Sequence, residues 1–294
     1  MESLGGMSHV LTLAQSFMSR DYSIFDQDPL LLNLKNGVYS FAKQELLPHR
    51  KEDYCSKIID IDYNPDTLCP LFNQVLYNIF DGDADITQFI IRALGYTLTG
   101  VTEEQVFFFC YGATGQNGKS TLLELALKIM GEYGRGMSKS LILEGGQETK
   151  AGNPWRIAGR RYVALDEVDE RDRIDETALK AVTGEDTLTA SKMFKDAFEF
   201  ESVSKLWMRG NDKPRVKASD SVFRRVILIP FTVRIKEKIE RIKQKLWDER
   251  EGILALLIWG AHEYLNGGLK VPEKISQATN EYRGEMDVFG DFIN

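Results

Sequence analysis

The stretch YGATGQNGKSTLLELAL, Tyr111 to Leu127, sets three glycines and one lysine between an apolar run and an amphipathic one. Upstream, VFFFCY (Val106 to Tyr111) reads as a buried strand, and downstream STLLELALKIMGEYG places its apolar residues on one helical face. Strand, glycine loop and helix in that order form a phosphate cradle. Glycines let successive backbone N–H groups turn inward around phosphate oxygens, at a helix N-terminus whose dipole favours negative charge. Gly112, Gly115 and Gly118 supply that freedom. Lys119 is placed to reach the β- and γ-phosphates, and the Ser120 hydroxyl to ligate Mg²⁺. Ala113 stands where the strict motif has its first glycine, with Gly112 beside it. The expected nucleotide-binding set is Gly112, Ala113, Thr114, Gly115, Gln116, Asn117, Gly118, Lys119, Ser120 and Thr121, with ATP and Mg²⁺ as ligands.

A hydrolytic nucleotide site needs a second strand ending in carboxylates, one to hold the hydrated metal and one to polarise the attacking water. RRYVALDEVDE fits: Tyr162 to Leu165 reads as an apolar strand with Asp166 and Glu167 at its end. Asp166 is expected at Mg²⁺ beside Ser120, and Glu167 as general base. Further on, Asn211 follows the strand SKLWMRG, with an amide that can both donate and accept. Arg224 and Arg225 precede the strand VILIPF. A guanidinium there could neutralise charge on a transferring phosphoryl group, or simply form an ion pair.

Composition sets wider bounds. The chain has 294 residues, 43% of them hydrophobic, and a net charge of −7. No run approaches the roughly 18 apolar residues of a membrane span, and the start lacks a signal-peptide pattern, so the expected compartment is the cytoplasm. Cys55, Cys69 and Cys110 lack paired spacing and there are three histidines, which excludes a zinc cluster. The charge is segregated: Thr187 to Arg250 carries 16 Lys and Arg against 9 Asp and Glu, a local +7 that leaves −14 elsewhere. Within this basic region TLTASKMFKDAFEFES reads as two strands around a basic, aromatic tip. Lys192 and Lys195 could contact nucleic-acid phosphates and Phe194 a sugar or base; the same lysines would serve an ordinary hairpin by discouraging edge pairing.

Three regions are expected, without an internal repeat or a Pro-, Gly- or Ser-rich linker. Residues 1–100 open with a helical pattern, SHVLTLAQSFMS, followed by a hairpin in LLLNLKNGVYSF turning at Asn36-Gly37 and a small helical layer broken at Gly82. Residues 101–235 form the nucleotide-binding core, α/β with a parallel sheet. Residues 236–294 are helical.

The order of these motifs resembles the superfamily III helicases, most closely the phage and poxvirus primase-helicase group of the viral AAA+ ATPases. NGKST (Asn117 to Thr121) looks like the group's phosphate loop, LKAVTGED (Leu179 to Asp186) like the motif after its acidic strand, GNDKPRV (Gly210 to Val216) like its sensor, and FRRVILIPF (Phe223 to Phe231) like its arginine-finger segment. LLNLKNGVYSF, GYTLTG and EGILALLIWGAHEYLNGGL resemble its flanks. The resemblance runs from about residue 25 to the end. It implies a replicative DNA helicase: a homo-oligomer, a hexameric ring that hydrolyses ATP between subunits and draws single-stranded DNA from a fork through its pore, with 3′ to 5′ polarity. The 1–100 region would then serve as a collar for oligomerisation. The group usually carries a primase module upstream, so this chain is expected to be a piece of a longer protein. A small P-loop kinase, or a module that assembles on DNA with ATP without hydrolysing it, would share Lys119; the first does not explain Asn211 followed by Arg224-Arg225, and the second has no use for Glu167.

Overall fold

The computed structural model describes residue 10 and residues 24–146, 153–184, 187–191, 197–217 and 219–293. The helical pattern expected over 8–19 lies almost wholly outside them. The first elements are a three-stranded antiparallel sheet, β1 (Leu31–Leu34), β2 (Gly37–Ser40) and β3 (Glu45–Leu47), ordered β1-β2-β3. The expected hairpin is present, but its turn lies one residue early. Leu34 pairs with Gly37, so Lys35 and Asn36 form the tip, and neither has positive φ. Gly37 is needed for a different reason: a Cβ there would meet the Leu47 carbonyl oxygen of β3 at 2.5 Å. Asn36 spends its side chain on Tyr63, accepting from its N–H and donating to its carbonyl, each at 2.9 Å.

Two helices follow, α1 (Pro70–Ile79) and α2 (Ala84–Leu98). Proline at the first position suits α1, whose first N–H groups have no intrahelical partner. Asp83 caps α2 by accepting from the Ile86 N–H at 3.1 Å.

The core is a five-stranded, wholly parallel sheet made of β4 (Phe107–Tyr111), β5 (Gly134–Met137), β6 (Tyr162–Leu165), β9 (Lys205–Gly210) and β10 (Val226–Pro230). Its order is β10-β4-β9-β6-β5. Parallel strands covered on both faces read as continuous apolar runs, and their alternate residues divide between two cores. Phe108, Cys110, Trp207 and Ile229 join the larger core beneath α1, α2, the loop helix α3 (Lys119–Ile129) and α7 (Arg250–Gly267). Phe107, Phe109, Met208 and Leu228 join the second, with α4 (Glu176–Thr183), α5 (Asp220–Phe223) and α8 (Glu273–Ile293). Between α4 and β9, β7 (Thr187–Ser191) and β8 (Ala197–Glu201) pair as the expected antiparallel hairpin.

Two buried cations tie the N-terminal layer to the base of the sheet. Arg161, just before β6, donates to the Leu98 carbonyl at 2.6 Å and the Leu31 carbonyl at 2.7 Å; Lys205, opening β9, donates to the Thr99 carbonyl at 2.6 Å. Leu98 and Thr99 end α2, where carbonyls lack helical partners and the dipole favours positive charge. Burial pushes the Lys205 ammonium well below its usual range.

The C-terminal helices close the molecule. Helix α6 (Ile242–Asp248) meets α3, with Lys243 2.5 Å from Glu124 and Lys128 stacked over Trp247 at 3.7 Å. Helices α2 and α7 cross on glycines: a Cβ at Gly95 would lie 2.2 Å from the Ala261 nitrogen, and one at Gly260 2.4 Å from the Ile91 carbonyl oxygen. Helix α8 runs along the edge strand β10, where Thr279 accepts from the Leu228 N–H at 3.0 Å. Among the described residues no helix is long and apolar enough to cross a membrane.

Candidate nucleotide site

The expected loop joins the C-terminal end of β4 to α3, and its glycines answer to different constraints. A Cβ on Gly112 would lie 2.4 Å from both the Asn117 amide nitrogen and the Phe231 carbonyl oxygen. Gly118 has φ +83°, and a Cβ there would strike Ile79 of α1 at 2.6 Å. Gly115 has open space around it. Gln116 also takes positive φ, +64°, so the backbone reverses within this loop.

Asn117 braces the turn. Its side chain is 3% exposed and donates to the Thr114 carbonyl at 2.6 Å and the Phe231 carbonyl at 3.3 Å. Its amide is therefore committed to the loop's shape, while Ala113, Thr114, Gly115, Gln116 and Ser120 face solvent and Thr121 is half-buried.

The lysine is held ready at the floor of the loop. Lys119 Nζ donates to the Gly112 carbonyl at 2.6 Å, the Gly210 carbonyl at 3.0 Å and Asn211 Oδ1 at 2.8 Å, one acceptor for each of its protons. Burial lowers its pKa, and the nearby Glu167 charge offsets that only in part. Asn211 Nδ2 in turn donates to Glu167 Oε1 at 2.5 Å. Three expected residues from three adjacent strand ends, β4, β9 and β6, thus form one chain: Lys119, Asn211, Glu167. Asp166 and Glu167 are both exposed at the end of β6.

Among the described residues no three His, Cys, Asp or Glu side chains gather into a metal cage. Ser120 and Asp166, the expected metal ligands, are both exposed.

Arg224 and Arg225 part company. Arg224 is exposed, whereas Arg225 is 6% exposed and donates to the Ser221 carbonyl at 2.9 Å and Gln105 Oε1 at 3.2 Å. Both stand before β10, whose first residue pairs with the first of β4. The length of the five-residue ladder, about 13 Å of strand rise, separates them from the phosphate loop of their own chain. Lys192, Phe194 and Lys195, the expected DNA contacts, lie outside the described residues, as do Glu185 and Asp186 of the TGED motif.

Sequence reasoning passed over Arg209 and Glu124. Arg209, the last side chain of β9 before Asn211, lies 3.5 Å from Glu124 of α3, which also holds Lys243 of α6. A lone arginine inside the apolar run KLWMRG was the available signal.

The chain is similar to several known proteins. A family model described as "D5 N terminal like" matches residues 2–81, and one described as "Family of unknown function (DUF5906)" matches residues 110–225. The protein named "Putative helicase L207/L206" of Acanthamoeba polyphaga mimivirus is 29% identical over 91% of this chain. The chain is a distant relative of the D5-type superfamily III viral helicases. "Putative helicase 121R" of Invertebrate iridescent virus 3 is 26% identical over the whole chain. The chain spans about a third of these relatives, 30% of the first and 35% of the second. In structure it is similar to the C-terminal region of NrS-1 in its apo form. One such structure gives a TM-score of 0.60 at 17% identity, covering 94% of this chain and 66% of that one. Another gives 0.55 at 20% identity, covering 78% and 53%.

Proposed function

We propose that the chain is the motor part of a replicative DNA helicase, which hydrolyses ATP with Mg²⁺ at the interfaces of a homo-oligomeric ring, hexameric by the family resemblance, and moves along single-stranded DNA. The observation that carries this reading is the chain from Lys119 through Asn211 to Glu167, in which a phosphate-binding cation, a polar sensor and a carboxylate are held within hydrogen-bonding distance. Lys119 contacts the phosphates, and Ser120 and Asp166 would hold Mg²⁺, which would supply charge neutralisation at the transferring phosphoryl group. Glu167 orients and deprotonates the attacking water. Asn211, bonded to both Lys119 and Glu167, shifts its contacts when a γ-phosphate claims the lysine. In the ground state its amide keeps Glu167 aligned.

The position of Arg224 supports a shared site. It is exposed and a strand's length from its own loop, which suits a role toward the phosphoryl group of a neighbouring subunit. Arg225 serves as its anchor. The tip at Lys192, Phe194 and Lys195 would line the pore and grip the DNA backbone, and a primase module would lie elsewhere in the longer protein.

The test is phosphate release from ATP, with and without single-stranded DNA. Lys119→Ala abolishes turnover, because no other cation in the loop replaces its phosphate contact. Glu167→Gln retains nucleotide binding and slows hydrolysis by about 10² to 10⁴. Undiminished turnover in Lys119→Ala overturns the assignment, and loss of binding in Glu167→Gln exchanges the roles of the two acidic residues.

A further inference from the structure

The loop from Asn211 to Pro214 leaves the end of β9 and is held from three directions. At its start Gly210 pairs with Tyr111 of β4. Past its end the Arg215 N–H donates to the Asp172 carbonyl at 2.8 Å and the Arg215 carbonyl accepts from the Ile174 N–H at 2.9 Å, which ties the loop to the chain downstream of Asp166 and Glu167. The third hold comes from α8. The Tyr282 hydroxyl donates to the Pro214 carbonyl, and Lys213 Nζ lies 2.6 Å from Glu285 Oε1. Lys213 also lies over the rings of Tyr111 and Tyr282, 5.1 and 5.8 Å from their centroids.

Tyr282 is fully buried, and its ring packs edge-on against Phe223 at 5.4 Å and tilted against Phe109 at 6.1 Å, centroid to centroid. A phenylalanine would fill nearly the same space, and a buried hydroxyl is unfavourable unless it finds a partner. Here the partner is the carbonyl of a residue three positions beyond Asn211. Burial raises the phenol's pKa above its usual range, so the group remains a donor. With the ring fixed by two aromatic neighbours, the hydroxyl is a rigid peg under the loop. We propose that Tyr282 is a positioning residue for ATP hydrolysis: its ring, packed against Phe109 and Phe223, holds its hydroxyl on Pro214 and so keeps Asn211 set between Lys119 and Glu167. Helix α8 thereby acts on the hydrolytic site through the loop that carries its polar sensor. The same ring touches Phe223, the residue before Arg224, so the sensor loop and the segment that presents Arg224 rest on one side chain. The inference rests on the role proposed above for Asn211.

The experiment is steady-state ATP hydrolysis by the whole chain with Mg²⁺. Tyr282→Phe keeps the ring between Phe109 and Phe223 and removes only the bond to Pro214. It lowers kcat by about tenfold and leaves KM unchanged, because the phosphate loop is untouched and only the alignment of Asn211 is lost. Asn211→Ala lowers kcat on its own, and adding Tyr282→Phe to it lowers kcat no further, since the hydroxyl acts through Asn211. Circular dichroism of each variant at the assay temperature separates a slower site from a loss of folded protein. A normal kcat in Tyr282→Phe, or a Tyr282→Phe defect that multiplies that of Asn211→Ala, overturns the inference and leaves the tyrosine a packing residue, with the sensor reading of Asn211 intact. If Asn211→Ala itself hydrolyses ATP at the unaltered rate, the sensor reading falls and this inference falls with it.

Discussion

Asp26 shows how one largely buried ion pair makes stability depend on pH. Burial by itself would raise its pKa, but hydrogen bonds from Lys57 at 2.6 Å and from Ser56 outweigh that and hold the carboxyl below its usual value. The group is depressed in the folded state, so its stabilisation is complete above the unfolded pKa, about 3.9, and is lost as pH falls through the lower folded value. Asp26→Asn strands the Lys57 ammonium, which is 6% exposed, and costs about 3 kcal/mol at pH 7. Urea midpoints across pH check this: the gap between variant and unaltered chain should narrow below about pH 4. A gap that persists into acid would assign the loss to packing. At this same scale the sequence was readable where chemistry is local and opaque where it is not. Gly112, Gly118 and Lys119 announce a loop because they are neighbours. Nothing in the sequence says that Lys119 meets Asn211, 92 positions on, or that Asn117 bonds the Phe231 carbonyl 114 positions on. Arg224 and Arg225 look equivalent in the sequence, and only the fold separates an exposed guanidinium from a buried one.

At the scale of elements, strands and helices were legible because each is a short periodic run, whereas their junctions depend on partners remote in sequence. The turn expected at Asn36-Gly37 shifted by one residue because Gly37 must make room for β3 and Asn36 is engaged by Tyr63. The crossing of α2 and α7 is similar: Gly95 and Gly260 look like helix weaknesses until the two backbones are seen in contact. Gly95→Ala must push α7 away and should cost about 3 kcal/mol, above the Gly-to-Ala gain in helix propensity of about 1 kcal/mol. A lowered urea midpoint with an unchanged slope measures it. An unchanged midpoint would mean that the crossing yields freely. The β7–β8 hairpin carries the proposed grip on DNA. Lys192→Ala with Lys195→Ala should weaken single-strand binding and flatten its salt dependence, since each lost phosphate contact removes released counterions. Basal ATP hydrolysis should persist. An unchanged salt slope returns this hairpin to a structural role.

Across the whole molecule the two functional ends lie apart: the loop, Asn211 and Glu167 at the carboxyl ends of the strands, Arg224 at the amino end of β10. If the site is completed between subunits, Arg224→Ala and Lys119→Ala are each inactive alone, and mixing them restores part of the hydrolysis at interfaces that pair an intact loop with an intact finger. Such fingers contribute about 10³ to 10⁵ in rate, so the recovered signal stands well above background. No recovery between subunits shown to exchange would mean that Arg224 acts in its own chain or not at all. The strand pair β4–β10 gives this arrangement a mechanical meaning. Five residues of each are paired in register, Val226 with Phe107 through to Pro230 with Tyr111. In the proposed ring, one end of that pair carries the loop assigned to one nucleotide, and the other carries Arg224, assigned to the next. The pair is a short strut, and on that reading a tilt forced on it at one tip would be delivered at the other, with no loop between them. If subunits do close into a ring, each site would be joined to the next through paired backbone, and the order in which they act would be constrained before any DNA enters.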